Sequence, residues 1–376
     1  MGTNSGTKDV IFHHTLPLET LPKVGSKIRP VQMVEAFTSE GFNVIDVSGY
    51  STSRKSKMTA IQNDIKDGRK FAFAYSESAN SPTALSDRDH FPRHPVADLV
   101  FFRCLQRAGV PSGLFYRDAW WRTQAYKESV PLVKRLAAVS CHRFDLLWYK
   151  RFFNVLFLPD ADMARAIPSK EFKRILALPP GHDASRMRPT GIERTPEKIR
   201  LLYVGSLNRS TYNLEILLKA ASRTTNAHLT LCIPKSEADL IGSYPSGLLK
   251  EVDIVNFSGE ALQDLYASAD ISCLVFGQGY QPYAMPIKLF ESIGFGVPIV
   301  ASFGTTAGKF VLSKEIGWAV GGAAELTSLL EELCDNRLDL KKKTEQVLLE
   351  APSHTWSARA RYVATVLSEE HGSRGR

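Results

Sequence analysis

The sequence predicts an α/β protein of two tandem Rossmann-like domains, each a doubly wound parallel sheet, facing one another across a cleft. Three observations carry that expectation. The chain has 376 residues, beyond the size at which a single hydrophobic core usually keeps growing. Short apolar runs alternate with amphipathic segments along its whole length, the rhythm of strand–helix–strand units. That rhythm lapses once near the middle and then restarts.

In the first half, strands are expected at DVIFHH, NVIDVSG, KFAFAY, GLFYRDA, NVLFLP and RILALPP, with helices such as VQMVEAFTSEG and VADLVFFRCLQRAG between them. Between His182 and Lys198 the pattern gives way to DASRMRPTGIERTPEK, rich in Pro, Gly and charge. The expected division is therefore residues 1–182, a connection at 183–198, and a second domain at 199–376. In the second domain the order is IRLLYVG (strand), NLEILLKAAS (helix), HLTLCIP and VDIVNFSG (strands), LQDLYASA (helix), DISCLVF (strand), PIKLFESIGFG (helix) and VPIVAS (strand). Ligands of such sheets bind beyond the carboxyl ends of the strands.

Composition is that of an ordinary folded protein, 44% hydrophobic and 23% charged, which excludes disordered and collagen-like classes. No apolar run is long enough to span a bilayer, MGTNSGTKDV lacks the apolar core of a secretory leader, and Gly6 stands where a myristoylation motif needs Ser or Thr. A cytoplasmic location is expected, peripheral on the inner face of the membrane. The five cysteines are widely spaced and never form CxxC, so they are read as reduced, without a disulfide framework or zinc site. The net charge of +8 is uneven: residues 1–190 hold 28 Lys and Arg against 18 Asp and Glu, and the rest 19 against 21. Such a basic half suits nucleic acid, an anionic membrane or a phosphate-bearing substrate.

The stretch YAMPIKLFESIGFGVPIVAS carries the most chemistry. Pro286 suits the first position of a helix, where its missing N–H costs nothing, and leaves the amides of Ile287 and Lys288 pointing out at a positive helix end. Lys288 adds a mobile cation. Glu291, about one turn on, suits a carboxylate that accepts hydrogen bonds from two vicinal ribose hydroxyls. Gly294 and Gly296 are expected to end the helix and permit the turn into VPIVAS.

This segment resembles the donor-binding motif of glycosyltransferase family four, retaining enzymes of the GT-B fold. The resemblance runs through the second half: LLYVGSLNRSTYN, YASADI before a strand, and a late helix HTWSARARYVATVL that in such folds crosses back to the first domain. It implies that Glu291 holds the ribose, that Gly205, Ser206 and Arg209 meet the diphosphate, and that Phe257 and Ser258 border the base. In one respect the chain departs from the family: its commoner pattern has two glutamates separated by seven residues, and the earlier position here is Tyr283.

In the first half, KVGSKIRP lies between strand and helix, so Gly25 and Ser26 can bring backbone amides to an anion while Arg29 offers a fork of donors. It resembles the family's loop facing the diphosphate and acceptor. The strand GLFYRDAWW ends in Arg117 and Asp118, where a carboxylate could orient or deprotonate an acceptor hydroxyl and Arg117 could tether phosphate or Asp118 itself. Two patterns invite metal binding but read otherwise. Asp160 of PDADM is expected to cap the following helical turn, and His13 and His14, adjacent in a strand, point to opposite faces. HRFDLLWYKRFFNVLF interleaves aromatic and basic residues, a texture that suits either a lipid surface or core packing with Lys150 and Arg151 snorkelling.

The expected function is transfer of a sugar from a nucleotide-diphosphate sugar to a hydroxyl acceptor. Retention follows from the resemblance. No metal or other cofactor is required, and a sugar or lipid-linked acceptor of the surface-polysaccharide kind is expected at an anionic membrane. Two other readings stand beside it: a nucleotide-sugar epimerase of the same architecture, which consumes donor without acceptor, and a non-enzymatic nucleic-acid-binding protein, against which the donor motif speaks.

Overall fold

The computed structural model describes residues 7–20, 25–168, 172–186, 198–207, 212–275 and 283–372, with backbone alone at 25, 26, 371 and 372. The chain divides into two compact units, one made of residues 1–180 and 356–376 and the other of 181–355. The first unit is thus discontinuous: the chain leaves it after Pro180 and returns at Trp356. Of the expected connection at 183–198, the described part is 183–186 and Lys198.

The first unit contains β1 (Lys8–His14), α1 (Gly25–Ser39), β2 (Phe42–Ser48), α2 (Ser51–Lys66), β3 (Phe73–Glu77), α3 (Ala97–Arg107), β4 (Ser112–Phe115), α4 (Gln124–Ser129), α5 (Leu132–Phe152), β5 (Val155–Leu158) and β6 (Ile175–Ala177). Its strands pair in parallel in the order β2-β1-β3-β4-β5-β6. The strand order reverses between β1 and β3, where His14 and Glu77 stand side by side at the carboxyl ends. A crevice at that point is where doubly wound sheets take ligands.

The second unit contains β7 (Ile199–Val204), α6 (Leu214–Arg223), β8 (Ala227–Cys232), β9 (Val252–Val255), α7 (Glu260–Ser268), β10 (Ile271–Leu274), α8 (Ile287–Gly294), β11 (Ile299–Ser302), α9 (Thr306–Ser313), β12 (Gly317–Val320), α10 (Ala323–Asp335) and α11 (Leu338–Glu350). All its strand pairs are parallel, in the order β12-β11-β10-β7-β8-β9. That is the Rossmann order, with its switch point between β7 and β10. Ile199, Leu201 and Tyr203 of β7 enter one core cluster while Leu202 and Val204 enter another. A strand covered on both faces needs apolar side chains on both, which is why IRLLYV, apart from Arg200, reads as a near-continuous run.

The last helix, α12 (Trp356–Gly372), belongs to the first unit. Trp356, Val363 and Leu367 join Phe12, Phe37, Phe73, Tyr75 and Phe157 in one buried cluster. Gly113 of β4 makes this fit: a Cβ there would lie 2.7 Å from the Phe157 ring and 3.2 Å from Leu367. Leu367 is fully buried, so Leu367→Ala is expected to destabilise the first unit by about 2–5 kcal/mol. Four of the five tryptophans lie in that unit. Denaturant titration followed by tryptophan fluorescence therefore reads the loss, and an unchanged midpoint would show that the returning helix is not part of this core.

Candidate functional site

In the second unit, α8 is the best-defined feature. Pro286 is its N-cap, at φ −75° and ψ 143°, and Ile287 is the first helical residue. The expected register is thus one residue early, because the carbonyl of Pro286 already accepts from the amide of Leu289 at 3.2 Å. No side chain caps the helix. Its leading amides, Ile287 and Lys288, follow β10 at the switch point and offer an anion the positive end of the helix.

Lys288 is half-buried. Burial lowers its pKa, while the nearby Glu291 carboxylate and Cys232 pull it back up. Glu291 accepts a hydrogen bond from the Tyr266 hydroxyl at 3.4 Å. The Tyr266 ring stacks on Phe295 with centroids 4.9 Å apart, and its own pKa is driven well up, first by burial and then by Glu291. Ser292 turns inward, donating to Lys288 O at 2.8 Å and sharing a second hydrogen bond with the Ser272 hydroxyl at 2.7 Å. Gly296, at φ +64°, makes the turn after the helix. Gly294, the last residue of α8, serves a second purpose besides the expected one: a Cβ would lie 2.7 Å from His182 Nδ1, so glycine permits the histidine to pack against the helix.

Cys232, at the end of β8, links the other expected donor residues. Its carbonyl accepts from the Gly205 amide at 3.0 Å, its Sγ lies 3.6 Å from Phe257 O, and it is near enough to Lys288 to raise that residue's pKa. Gly205, Phe257, Lys288 and Glu291 are therefore gathered around one strand end. Phe257 presents a ring that is 46% exposed, beside the exposed Ser258. Sequence reasoning took Cys232 only as a buried free thiol. Of the other four cysteines, Cys104, Cys141 and Cys334 are half-buried and Cys273 is buried, and all are free.

The loop after β7 carries a surprise. The Glu237 carboxylate accepts from Ser206 Oγ at 3.0 and 2.9 Å and from the amide of Leu207. Tyr203 Oη donates to Ser206 O at 2.6 Å and leaves no room for a Cβ at position 205. An internal anion thus already engages donors assigned to the diphosphate. Glu237 lies thirty residues downstream, with no local signal to mark it. Arg209 lies outside the described residues.

In the first unit, Gly25 and Ser26 form the first turn of α1. Arg29 turns toward the sheet: Nε donates to Glu77 Oε1 at 3.1 Å and Nη2 to Tyr75 Oη at 3.3 Å, with the guanidinium 3.6 Å from the centre of the Phe115 ring. Its buried Nη1 has no partner among the described residues. Tyr75 Oη also donates to Glu77 at 2.8 Å. Burial raises the Glu77 pKa, against the pull of Arg29 and Arg117.

β4 ends at Phe115, so Arg117 and Asp118 lie just beyond the strand. The Arg117 amide donates to Ser78 Oγ, and Asp118 Oδ1 accepts from the Trp120 amide, both at 3.0 Å. Burial raises the Asp118 pKa and lowers that of Arg117. His13 is wholly internal, bridging Ser76 Oγ and Asp98 Oδ1 at 2.8 Å each. His14 instead meets Glu77 O at 2.9 Å, and burial brings its pKa down to about 4. Asp160 caps the turn after β5 by accepting from Asp162 N at 2.8 Å. Among the described residues no group of three or more His, Cys, Asp or Glu is arranged to hold a metal.

Residues 198–336 match the family model described as "Glycosyl transferases group 1". That segment lies within the second unit, which is in this respect similar to a group 1 glycosyltransferase domain. Solved structures match nearly the whole chain. A glycosyltransferase from Rickettsia africae ESF-5 has a TM-score of 0.58 at 12% identity, covering 96% of this chain and 98% of its own. WaaG, a glycosyltransferase involved in lipopolysaccharide biosynthesis, has 0.56 at 13%, covering 96% and 99%. AviGT4, a glycosyltransferase involved in avilamycin A biosynthesis, has 0.55 at 11%, covering 97% and 98%. At such identities the likeness establishes the GT-B fold. No curated protein matches the chain in sequence.

Two predictions follow from α8. Glu291→Ala is expected to weaken UDP or GDP binding by about 1.5–3 kcal/mol, the range for hydrogen bonds to a charged group, with the fold intact. Calorimetry checks it, and unchanged affinity for each nucleotide the wild type binds would remove the ribose role. The second concerns pH. Because burial lowers the Lys288 pKa from its ordinary 10.5, its ammonium is lost at a lower pH than that of an exposed lysine. Affinity should therefore fall as pH rises through that value. In a Cys232→Ser background, which removes the neighbouring thiol, Lys288→Arg should abolish the fall, and a persisting fall would clear Lys288 of contact with the anion.

Proposed function

We propose that the protein transfers a sugar from a nucleotide-diphosphate sugar to a hydroxyl acceptor, with retention of anomeric configuration. The observation that carries the donor half is α8: a helix start without a side-chain cap at a Rossmann switch point, with a half-buried lysine in its first turn and a carboxylate one turn on. In this reading the C–O bond to the diphosphate breaks as the acceptor oxygen bonds to the anomeric carbon. Charge developing on the diphosphate rests on the amides of Ile287 and Lys288 and on the Lys288 ammonium, so the reading includes no metal or other cofactor. Ribose hydroxyls go to Glu291, the base borders Phe257 and Ser258, and Arg209 joins Gly205 and Ser206 at the diphosphate.

The acceptor belongs to the first unit in this reading. Asp118, with its pKa raised by burial, is a better proton acceptor than an exposed carboxylate and orients or deprotonates the attacking hydroxyl. Arg117 tethers a phosphate or Asp118, and the start of α1 at Gly25, Ser26 and Arg29 faces acceptor or diphosphate. The basic excess of residues 1–190 supports a lipid-linked acceptor, of the surface-polysaccharide kind, met by a peripheral protein on the cytoplasmic face of an anionic membrane. Retention rests on the family resemblance, and Tyr283 in place of the first acid leaves the sugar to be held by other groups.

Asp118→Asn tests the catalytic half. It keeps size and loses charge, and should lower turnover by about two to four orders of magnitude with donor affinity unchanged. Where the departing phosphate takes the proton and Asp118 only orients, the loss is at the small end. Acceptor-dependent release of nucleotide diphosphate from a panel of donors is the measurement. Turnover within about threefold of wild type at saturating substrates would make Asp118 structural, and donor consumption that ignores acceptor would favour an epimerase.

A further inference from the structure

Helix α5 is built inside out. Its 21 residues bury His142, Asp145, Leu146, Trp148 and Tyr149. Yet Leu132 (59%), Val133 (80%), Leu136 (60%), Phe144 (41%) and Leu147 (63%) are exposed. Spacings of three, four and seven or eight residues put these five along one side of the helix. The polar groups it buries are well served. Asp145 accepts from the Thr83 amide at 2.7 Å and Trp148 Nε1 at 3.1 Å, and His142 stacks on Trp121 at 5.0 Å. The rotation of the helix is therefore fixed from within.

Two more observations say what covers the outer face. The first ten residues of α5 contribute no buried side chain, although most helical stability in proteins comes from packing an apolar face. The helix also carries Lys134, Arg135, Arg143, Lys150 and Arg151 against one acid, Asp145, which is buried. Outward, it shows only apolar and cationic side chains among its charged and large groups. No other described element holds more than two exposed large hydrophobic side chains. Its charges and its hydropathy keep it from spanning a bilayer. At about 31 Å long, it suits a helix lying in the plane of the headgroups.

We propose that the outer face of α5 is a lipid-docking surface, which lays Leu132, Val133, Leu136, Phe144 and Leu147 into the interface of an anionic bilayer with the basic side chains among the headgroups. This deepens the membrane reading given above and rests on it, replacing a diffuse basic charge with one helix face and an apolar contact that salt does not screen.

The test is sedimentation with phosphatidylglycerol–phosphatidylcholine vesicles at low and at high salt, using the full chain. Wild type should bind at low salt and keep part of that binding at high salt. Leu136→Gln/Leu147→Gln should bind about tenfold less at both, with UDP or GDP affinity unchanged. Leu349→Gln, a control at a 75% exposed leucine on α11, should bind as wild type does. Wild type that ignores anionic vesicles would overturn both this proposal and the membrane reading. Wild type that binds while the double variant binds equally, or loses no more than the control, would overturn the α5 surface alone. So would a double variant that changes self-association in sedimentation velocity and leaves vesicle binding intact, since the face would then join two copies of the chain.

Discussion

Every strand pair between the described elements of both sheets is parallel, and that constraint decides where the chemistry lies. A parallel sheet brings all its carboxyl ends to one edge and covers both faces with helices. Polar side chains cannot be spread over its faces, so they collect at the edge. Distant segments meet there: His14, Glu77 and Arg117 in the first unit, and Gly205, Cys232, Phe257 and Lys288 in the second. The two units reach this result by different orders, the first reversing between β1 and β3 and the second between β7 and β10.

Keeping charge at that edge demands internal partners. Arg54, with no exposed surface, places Nε and Nη2 on the two oxygens of Asp98 at 2.6 and 3.0 Å and Nη1 on Thr15 O at 3.1 Å. Burial alone would raise the Asp98 pKa, but Arg54 and His13 hold it well below the carboxylate range. Asp98 accepts from His13 Nε2–H, which leaves Nδ1 to accept from the Ser76 hydroxyl. Burial keeps the imidazole neutral, so the pair Arg54–Asp98 is balanced without it. Ser, His and Asp in hydrogen-bonded series look like a nucleophile relay, yet all three are buried and tied to α2 and α3. They join helices to the sheet.

Legibility followed from how local each signal was. α8 could be read because its proline, lysine, glutamate and glycines sit within eleven residues, and the strands because apolar runs survive burial on both faces. The expected strand GLFYRDA was too long: β4 ends at Phe115, and beyond it only the Tyr116 amide still reaches β5, donating to Phe157 O at 2.8 Å. α2 gave no clear period because it buries Ser51 and Arg54 beside Met58 and Ile61. In HRFDLLWYKRFFNVLF, Trp148, Tyr149 and Phe153 belong to the core while Phe144 and Leu147 face outward. Pattern alone could not choose between a lipid surface and core packing, because the segment packs inward on one side and exposes apolar side chains on the other. Glu237 and Cys232 were illegible for another reason: their roles depend on partners brought near by folding.

The two loops at the second unit's switch point differ in what they have left to offer. After β7, the Ser206 hydroxyl and the Leu207 amide already hold Glu237, so that loop has the geometry of an anion cradle and carries an anion of its own. Negative charge there opposes a second negative group at the same donors. At α8 the first turn has no side-chain cap, and Lys288 stands beside it with only a partly compensating carboxylate. A diphosphate entering this unit gains most where cationic and amide donors are least committed, which is the start of α8. The β7 loop contributes fully only when Glu237 gives up Ser206 and Leu207. In the proposed function, the depth of a diphosphate in the unit is therefore set by a contest between one phosphate group and one carboxylate.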